Sequence, residues 1–235
     1  MDSRALAKAF AALSTPLAAD ACLRLGLPLR VAPPGLAPVV PGARVAGRVV
    51  PARHFGSVDV FLEAMQTASP GDVLVVDNGG RTDEACVGDL TALEAAASGM
   101  SAMLVWGLHR DTPELREIGL PVFSYGRCAP GPSRLDPRDP DALQSARFGA
   151  FPVDRSFAVF ADDDGAVFAP LDRAGDLLAT AEDIRRRERA QADRIRAGET
   201  LRRQLRFDDY LARRAKDPDY TLRRHLREIG GAIEV

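Results

Sequence analysis

Residues 70–106 read PGDVLVVDNGGRTDEACVGDLTALEAAASGMSAMLVW, and no other stretch restricts the fold as strongly. The apolar runs at 73–76 and 102–106 have the length of buried strands and are bounded by turn residues. Between them, 89–98 is a helical segment rich in alanine and leucine, stopped by Gly99. Strand, helix and strand in that order bring the start of the helix and the end of the second strand to one edge of a sheet. The first strand leaves the sheet through Asn78-Gly79-Gly80.

The flanking sequence extends this unit into a layered α/β core. ARVAGRVVPARH (43–54) reads as a strand, SVDVFLEAMQTA (57–68) as a short amphipathic helix, and ELREIGLPVFSYG (114–126) as a helix and another strand. Residues 3–25 have helical spacing interrupted at Ser14-Thr15-Pro16, where Ser14 or Thr15 can cap a second helix with proline in its first turn. Five prolines between 28 and 41 forbid a regular helix there and favour an extended connection. SFAVFADDDGAVFAP (156–170) reads as two strands joined by an Asp-Gly turn. Asp162, Asp163 and Asp164 could hold a cation, but a hairpin turn accounts for them at less cost.

Residues 181–215 form a highly charged helical stretch with sparse apolar positions and a possible break at Gly198. Such a helix cannot be buried all round and reads as an arm on the surface or against another subunit. The expected organisation is therefore an α/β catalytic domain over 1–178 and a helical C-terminal arm over 179–235.

Charge narrows the partners. The net charge of -2 hides a split, because residues 181–235 carry 15 Lys+Arg against 11 Asp+Glu and the remainder 16 against 22. Neither part has the single-sign blocks that would make nucleic acid or a membrane surface the partner. No apolar run approaches the ~20 residues of a membrane helix, and the N-terminus lacks a basic-then-apolar leader, so a cytoplasmic protein is expected. Cys22, Cys86 and Cys128 have neither disulfide nor zinc spacing and read as free thiols. Lysine is confined to Lys8 and Lys216.

The sheet edge collects charge. Asp89 opens the helix, Arg110 and Asp111 follow the returning strand, and Gly88 lets the chain approach closely. The free N–H groups of the first helical turn, residues 89–91, suit a carboxylate or phosphate. Two carboxylates and an arginine beside an anion pocket point to a hard divalent cation, Mg²⁺ or Mn²⁺, which prefers oxygen ligands and keeps several waters. The same residues also fit a plain first-turn helix acid and an exposed Arg-Asp pair. His109 should point away from Arg110 and serve packing or hydrogen bonding.

Asp89, twenty intervening residues and then Arg110-Asp111 resembles the D-x20-R-D pattern of class II pyruvate aldolases of the 4-hydroxy-4-methyl-2-oxoglutarate/4-carboxy-4-hydroxy-2-oxoadipate type, within the RraA-like family. STPLAADA (14–21), PGDVLVVDNGG (70–80), GLPVFSYG (119–126), DDDGAVFAP (162–170) and the ending LRRHLREIGGAIEV are similar as well. The family commonly has Asp-Gly before the Arg-Asp loop, where this chain has Trp106-Gly107-Leu108-His109.

The resemblance implies a swivelling β/β/α-type fold and homotrimers that often pair into hexamers, with the site between subunits. It implies that Asp111 binds the metal directly and Asp89 through water, that Arg110 holds the keto oxygen, and that the amides around Gly88, Asp89, Leu90 and Thr91 receive the pyruvate carboxylate. The activity implied is cleavage of 4-hydroxy-2-oxo acids to pyruvate, with oxaloacetate decarboxylation as a companion. A Schiff-base route needs a desolvated lysine, which Lys8 and Lys216 are poorly placed to supply. Two alternatives remain at this point: a non-catalytic regulator of a ribonuclease or helicase, and a related metal-dependent lyase, hydratase or isomerase on another oxo acid. The distal part of a substrate is expected near 127–147, with Arg81, Arg127 and Arg134 as candidates for a second carboxylate.

Overall fold

A computed structural model describes residues 1–230, and the last five positions of the C-terminal motif lie outside the described residues. The chain divides into two compact units, Met1–Leu178 and Ala179–Val235. In the first, helices α1 (Ser3–Phe10) and α2 (Thr15–Arg24) precede the short strands β1 (Arg30–Val31) and β2 (Ala37–Pro38) and the long β3 (Val45–Arg53). Next come α3 (Asp59–Gln66), β4 (Val73–Asp77), β5 (Ala85–Val87), α4 (Asp89–Ala97), β6 (Ala102–Trp106), β7 (Leu108–His109), α5 (Thr112–Ile118) and β8 (Val122–Ser124). Hairpin β9 (Ser145–Phe148) and β10 (Phe151–Asp154) and hairpin β11 (Phe157–Asp162) and β12 (Gly165–Pro170) complete the unit.

Eight strands form one mixed sheet in the order β1-β12-β11-β3-β4-β6-β8-β2. The central β3, β4, β6 and β8 are parallel, and the strands outside them pair antiparallel. The alternation of each strand sorts its side chains onto two faces. Leu74, Val76, Met103 and Val105 pack with Val60 and Phe61 of α3 and Ala92 and Ala95 of α4. Val73, Val75 and Leu104 pack on the other face with Phe123, Phe148 and Phe168. Burial on both faces explains why the central strands are continuously apolar. Pro51 sits in β3 past the last residue paired with β11, Arg48, so its missing N–H interrupts no bond to that strand.

The layered α/β core with N-terminal helices is thus present, and β4 and β6 occupy the positions expected of them. The structure adds elements that pattern reading overlooked. β5 and β7 form a two-stranded parallel ladder of their own, so Leu108–His109 is strand rather than loop. β9 and β10 pair in a stretch to which pattern reading assigned no element. The triple-aspartate turn is structural: Asp162 accepts from the Thr15 N–H at 2.9 Å and the Thr15 hydroxyl at 2.5 Å, capping α2 from 147 residues away, and Asp163 accepts from the Gly42 N–H at 2.9 Å. Ser14 occupies the N-cap position of α2 but makes no side-chain cap bond.

One buried charge pins α1 to the sheet. Asp72 accepts from the Ser3 hydroxyl at 2.6 Å, from Arg48 Nε and Nη2 at 3.0 Å each, and from the Ser69 N–H at 2.9 Å. Burial raises its pKa, but the bonds from Arg48, Ser3 and Ser69 outweigh that and hold it below the usual carboxylate value. A carboxylate with a lowered folded pKa adds stability that is present above the unfolded pKa of about 4 and is lost as pH falls through the folded value. Asp72→Asn is therefore expected to cost about 1–3 kcal/mol at neutral pH. Thermal melts of variant and parent should differ by several degrees at pH 7 and converge below pH 4; equal melting temperatures at pH 7 would contradict this role.

The second unit continues from α6 (Ala174–Arg196), which spans the boundary, into α7 (Leu201–Gln204), α8 (Phe207–Arg214) and α9 (Leu222–Ile229). The break expected in the charged stretch is present: α6 ends at Arg196 and the chain turns at Gly198, whose φ is +96°. Tyr210, Tyr220, His225 and Leu226 form its small buried centre, and His225 Nε2 lies 2.9 Å from the Leu205 carbonyl.

Candidate functional site

The βαβ unit assembles the charged edge as its topology requires. Gly88 is the N-cap of α4 with φ −153° and ψ −163°, extended backbone open to any residue. What restricts this position is space. A Cβ added to Gly88 would collide with Asp111 Oδ2 and stand 3.2 Å from Arg110 Cγ. The Thr91 hydroxyl donates to the Gly88 carbonyl at 2.7 Å and accepts from the Gly88 N–H at 3.0 Å, which fixes the turn.

Asp111 reaches this turn from the far end of the unit. The Arg110 N–H donates to the Val87 carbonyl at 3.0 Å, laying the loop against β5. Asp111 itself has φ +59° and ψ +44°, one of two described non-glycine residues in the left-handed region, a strain often found at functional positions. Its Oδ2 accepts from the Asp89 N–H at 3.3 Å and stands 3.5 Å from Arg110 Nε. The two side chains are 50% and 34% exposed for Arg110 and Asp111, so both reach solvent.

Gly88, Asp89, Thr91, Arg110 and Asp111 are therefore brought together. One detail differs from the sequence expectation: the first-turn amides are not all free. The Asp89 N–H faces the Asp111 carboxylate, and the Leu90 N–H donates to Asp89 Oδ1 at 2.7 Å. The Leu90 side chain points outward and is 76% exposed, so only its backbone belongs to the turn.

A metal can be tested against these donors. Two carboxylates beside a glycine that leaves room for one of them fit a hard cation that retains most of its water. They do not make a closed cage, since among the described residues no group of three His, Cys, Asp or Glu is placed to hold a metal.

The arginines proposed for a distal carboxylate separate into two kinds. Arg134 donates to Glu84 through Nε and Nη2 at 2.9–3.2 Å, to Asn78 Oδ1 at 2.9 Å and to Asp136, and Arg81 pairs with Asp83 at 2.5 Å. Both are thus engaged in ion pairs within the chain. Arg127 is exposed and has no carboxylate partner among the described residues.

Gly131 is a site neighbour that sequence reading missed: its Cβ would stand 2.7 Å from Arg110 Nη1, so the 129–136 loop lies against the guanidinium. The Ala85 N–H donates to the Pro130 carbonyl at 2.9 Å and Arg134 pins the same loop to Glu84. No local pattern could have disclosed a contact that depends on these distant pairings.

His109 is buried, with Nδ1 2.6 Å from Ser124 Oγ and Nε2 3.0 Å from Thr112 Oγ1. Ser124 Oγ also lies 3.3 Å from the Gly126 N–H and 3.2 Å from the Gly126 carbonyl. One set of roles satisfies every group: Nδ1–H and the Gly126 N–H donate to Ser124, Ser124 donates to the Gly126 carbonyl, and Thr112 donates to Nε2. Burial first, then Arg127 and Arg116, lower the pKa of this imidazole and keep it neutral. The expected packing and hydrogen-bonding role fits this network.

The comparisons agree with this architecture. A profile of the RraA-like family, described as Aldolase/RraA, matches residues 15–168. A protein of Hahella chejuensis named "Putative 4-hydroxy-4-methyl-2-oxoglutarate aldolase" is 30% identical over 125 residues, covering 53% of this chain and 74% of that protein. One of the same name from Alcanivorax borkumensis is 31% identical over 125 residues, covering 53% and 76%. Among solved structures, Streptomyces coelicolor RraAS2, described as an unusual member of the RNase ES inhibitor RraA protein family, aligns with TM-score 0.69 and 27% identity over 80% of this chain and 95% of that one. An uncharacterized Pseudomonas syringae protein shares the fold at TM-score 0.73 and 24% identity, over 84% and 95% of the two chains.

Proposed function

The chain belongs to the RraA-like family, and from that premise we propose that it is a divalent-metal-dependent class II aldolase that cleaves 4-hydroxy-2-oxo acids to pyruvate and decarboxylates oxaloacetate. The observation that carries this reading is the meeting of Asp111 Oδ2 with the Asp89 N–H and Arg110 Nε over a glycine that leaves room for them. Relatives named as aldolases support the same class of reaction.

Cleavage of the bond beta to a ketone leaves its electron pair on the oxo acid as a pyruvate enolate, and the developing oxyanion must be stabilised. Asp111 and Asp89 would hold Mg²⁺ or Mn²⁺, which when bound supplies Lewis-acid stabilisation of that charge. Arg110, half exposed, donates to the keto oxygen as it becomes negative. The substrate carboxylate takes the first-turn amides of α4, replacing Asp89 Oδ1 on the Leu90 N–H and Asp111 Oδ2 on the Asp89 N–H. An aldol substrate also requires a base for its hydroxyl proton. Oxaloacetate does not, because loss of CO₂ leaves the same enolate. A Schiff-base route is disfavoured, since Lys8 and Lys216 are both exposed and a nucleophilic lysine needs desolvation.

Leu90 and Leu93, 76% and 50% exposed on α4, favour a covered face and hence assembly into a homotrimer or hexamer. The same exposed leucines are the observation that favours a second reading, a non-catalytic regulator that docks a ribonuclease or helicase through this surface. Pyruvate release from 4-hydroxy-4-methyl-2-oxoglutarate and from oxaloacetate, measured with Mg²⁺ on the full-length chain, separates the two. Turnover of either substrate supports the lyase. No turnover, together with stable co-purification of a ribonuclease, decides for the regulator.

A further inference from the structure

A cleft of about 210 Å³ opens beside β2, β8 and the start of α5, and none of Gly88, Asp89, Arg110 or Asp111 lines it. Its floor is the Ser124–His109–Thr112 network, whose buried donors and acceptors are already matched to one another. Among the described residues, Arg116 and Arg127 supply the charged side chains of its lining. Neither has a carboxylate partner among the described residues, and the one bond Arg116 makes is a long one, 3.5 Å, to the Val39 carbonyl. Both arginines are exposed residues, and both of their charges lower the pKa of the same buried imidazole, so each lies near His109.

Two unpaired guanidiniums without an acid select an anion, and a planar fork matches a carboxylate in two bonds. Ala37, Pro38 and Val39 also line the cleft, and their apolar side chains suit a carbon chain better than an inorganic anion. The volume limits the guest to a few carbon atoms. We propose that this cleft is a second, non-catalytic site that binds a small organic carboxylate between Arg116 and Arg127. It is separate from the lyase reading, because occupancy is measured without turnover.

The test is calorimetric titration of the full-length chain with succinate in the presence of EDTA. Saturable binding is expected, weakened on the order of tenfold or more by Arg116→Ala and by Arg127→Ala. Arg110→Ala should bind succinate as the parent does, and neutral succinamide should not bind. Binding lost in Arg110→Ala but kept in both cleft variants would place succinate at the catalytic edge and overturn the proposal. So would an absence of saturable binding, equal binding of succinamide, or inorganic phosphate binding more tightly than succinate.

Discussion

Asp111→Asn is expected to lower pyruvate release from 4-hydroxy-2-oxo acids on the order of 10³-fold, comparable to removing an oxyanion donor from an enzyme. Asparagine separates chemistry from structure at this position. It tolerates the left-handed backbone that Asp111 adopts at φ +59°, keeps a carbonyl oxygen to accept from the Asp89 N–H, and removes the negative charge a cation requires. Asp111→Ala removes the charge as well but adds the strain of a left-handed alanine, about 1–2 kcal/mol. The two variants should therefore be similarly inactive while only the alanine melts earlier. An Asp111→Asn protein with parental activity would reduce Asp111 to a cap on the turn.

Gly88→Ala should be the other large loss, on the order of 10²-fold in kcat/KM, the scale expected when a small displacement misplaces reacting groups. The backbone there is extended, so alanine brings no torsional strain, and its effect comes from the methyl group pressing on Asp111 Oδ2 and the Arg110 stem. The melting temperature should move little because both displaced side chains reach solvent. A variant folded and fully active would mean that the closeness of Gly88 to Asp111 has no bearing on catalysis.

What could be read from the sequence was local or followed from connectivity. The apolar runs at 73–76 and 102–106 are strands because only a doubly buried strand tolerates continuous apolar residues at that length, and β6 spans the expected positions. Once those strands and α4 are in place, Gly88 must meet Asp111, so the candidate site followed from the order of elements. The missed features depend on partners distant in sequence. β5 and β7 have three and two residues and exist by pairing with each other. Asp162 reads as a turn acid but caps α2, and Arg134 reads as a free cation but is bound to Glu84, 50 residues away. The engaged amides of Asp89 and Leu90 were hidden for a similar reason, because a helix start displays its donors but not the carboxylates that reach them.

The central claim is that Asp111 and Asp89 hold a divalent cation without which no pyruvate is released. The most direct measurement is pyruvate release by the full-length chain from 4-hydroxy-4-methyl-2-oxoglutarate, first with Mg²⁺, then after exhaustive EDTA treatment, then with Mg²⁺ or Mn²⁺ restored. The account predicts turnover that is abolished by chelation and recovered with either ion; a rate that survives complete chelation would contradict it.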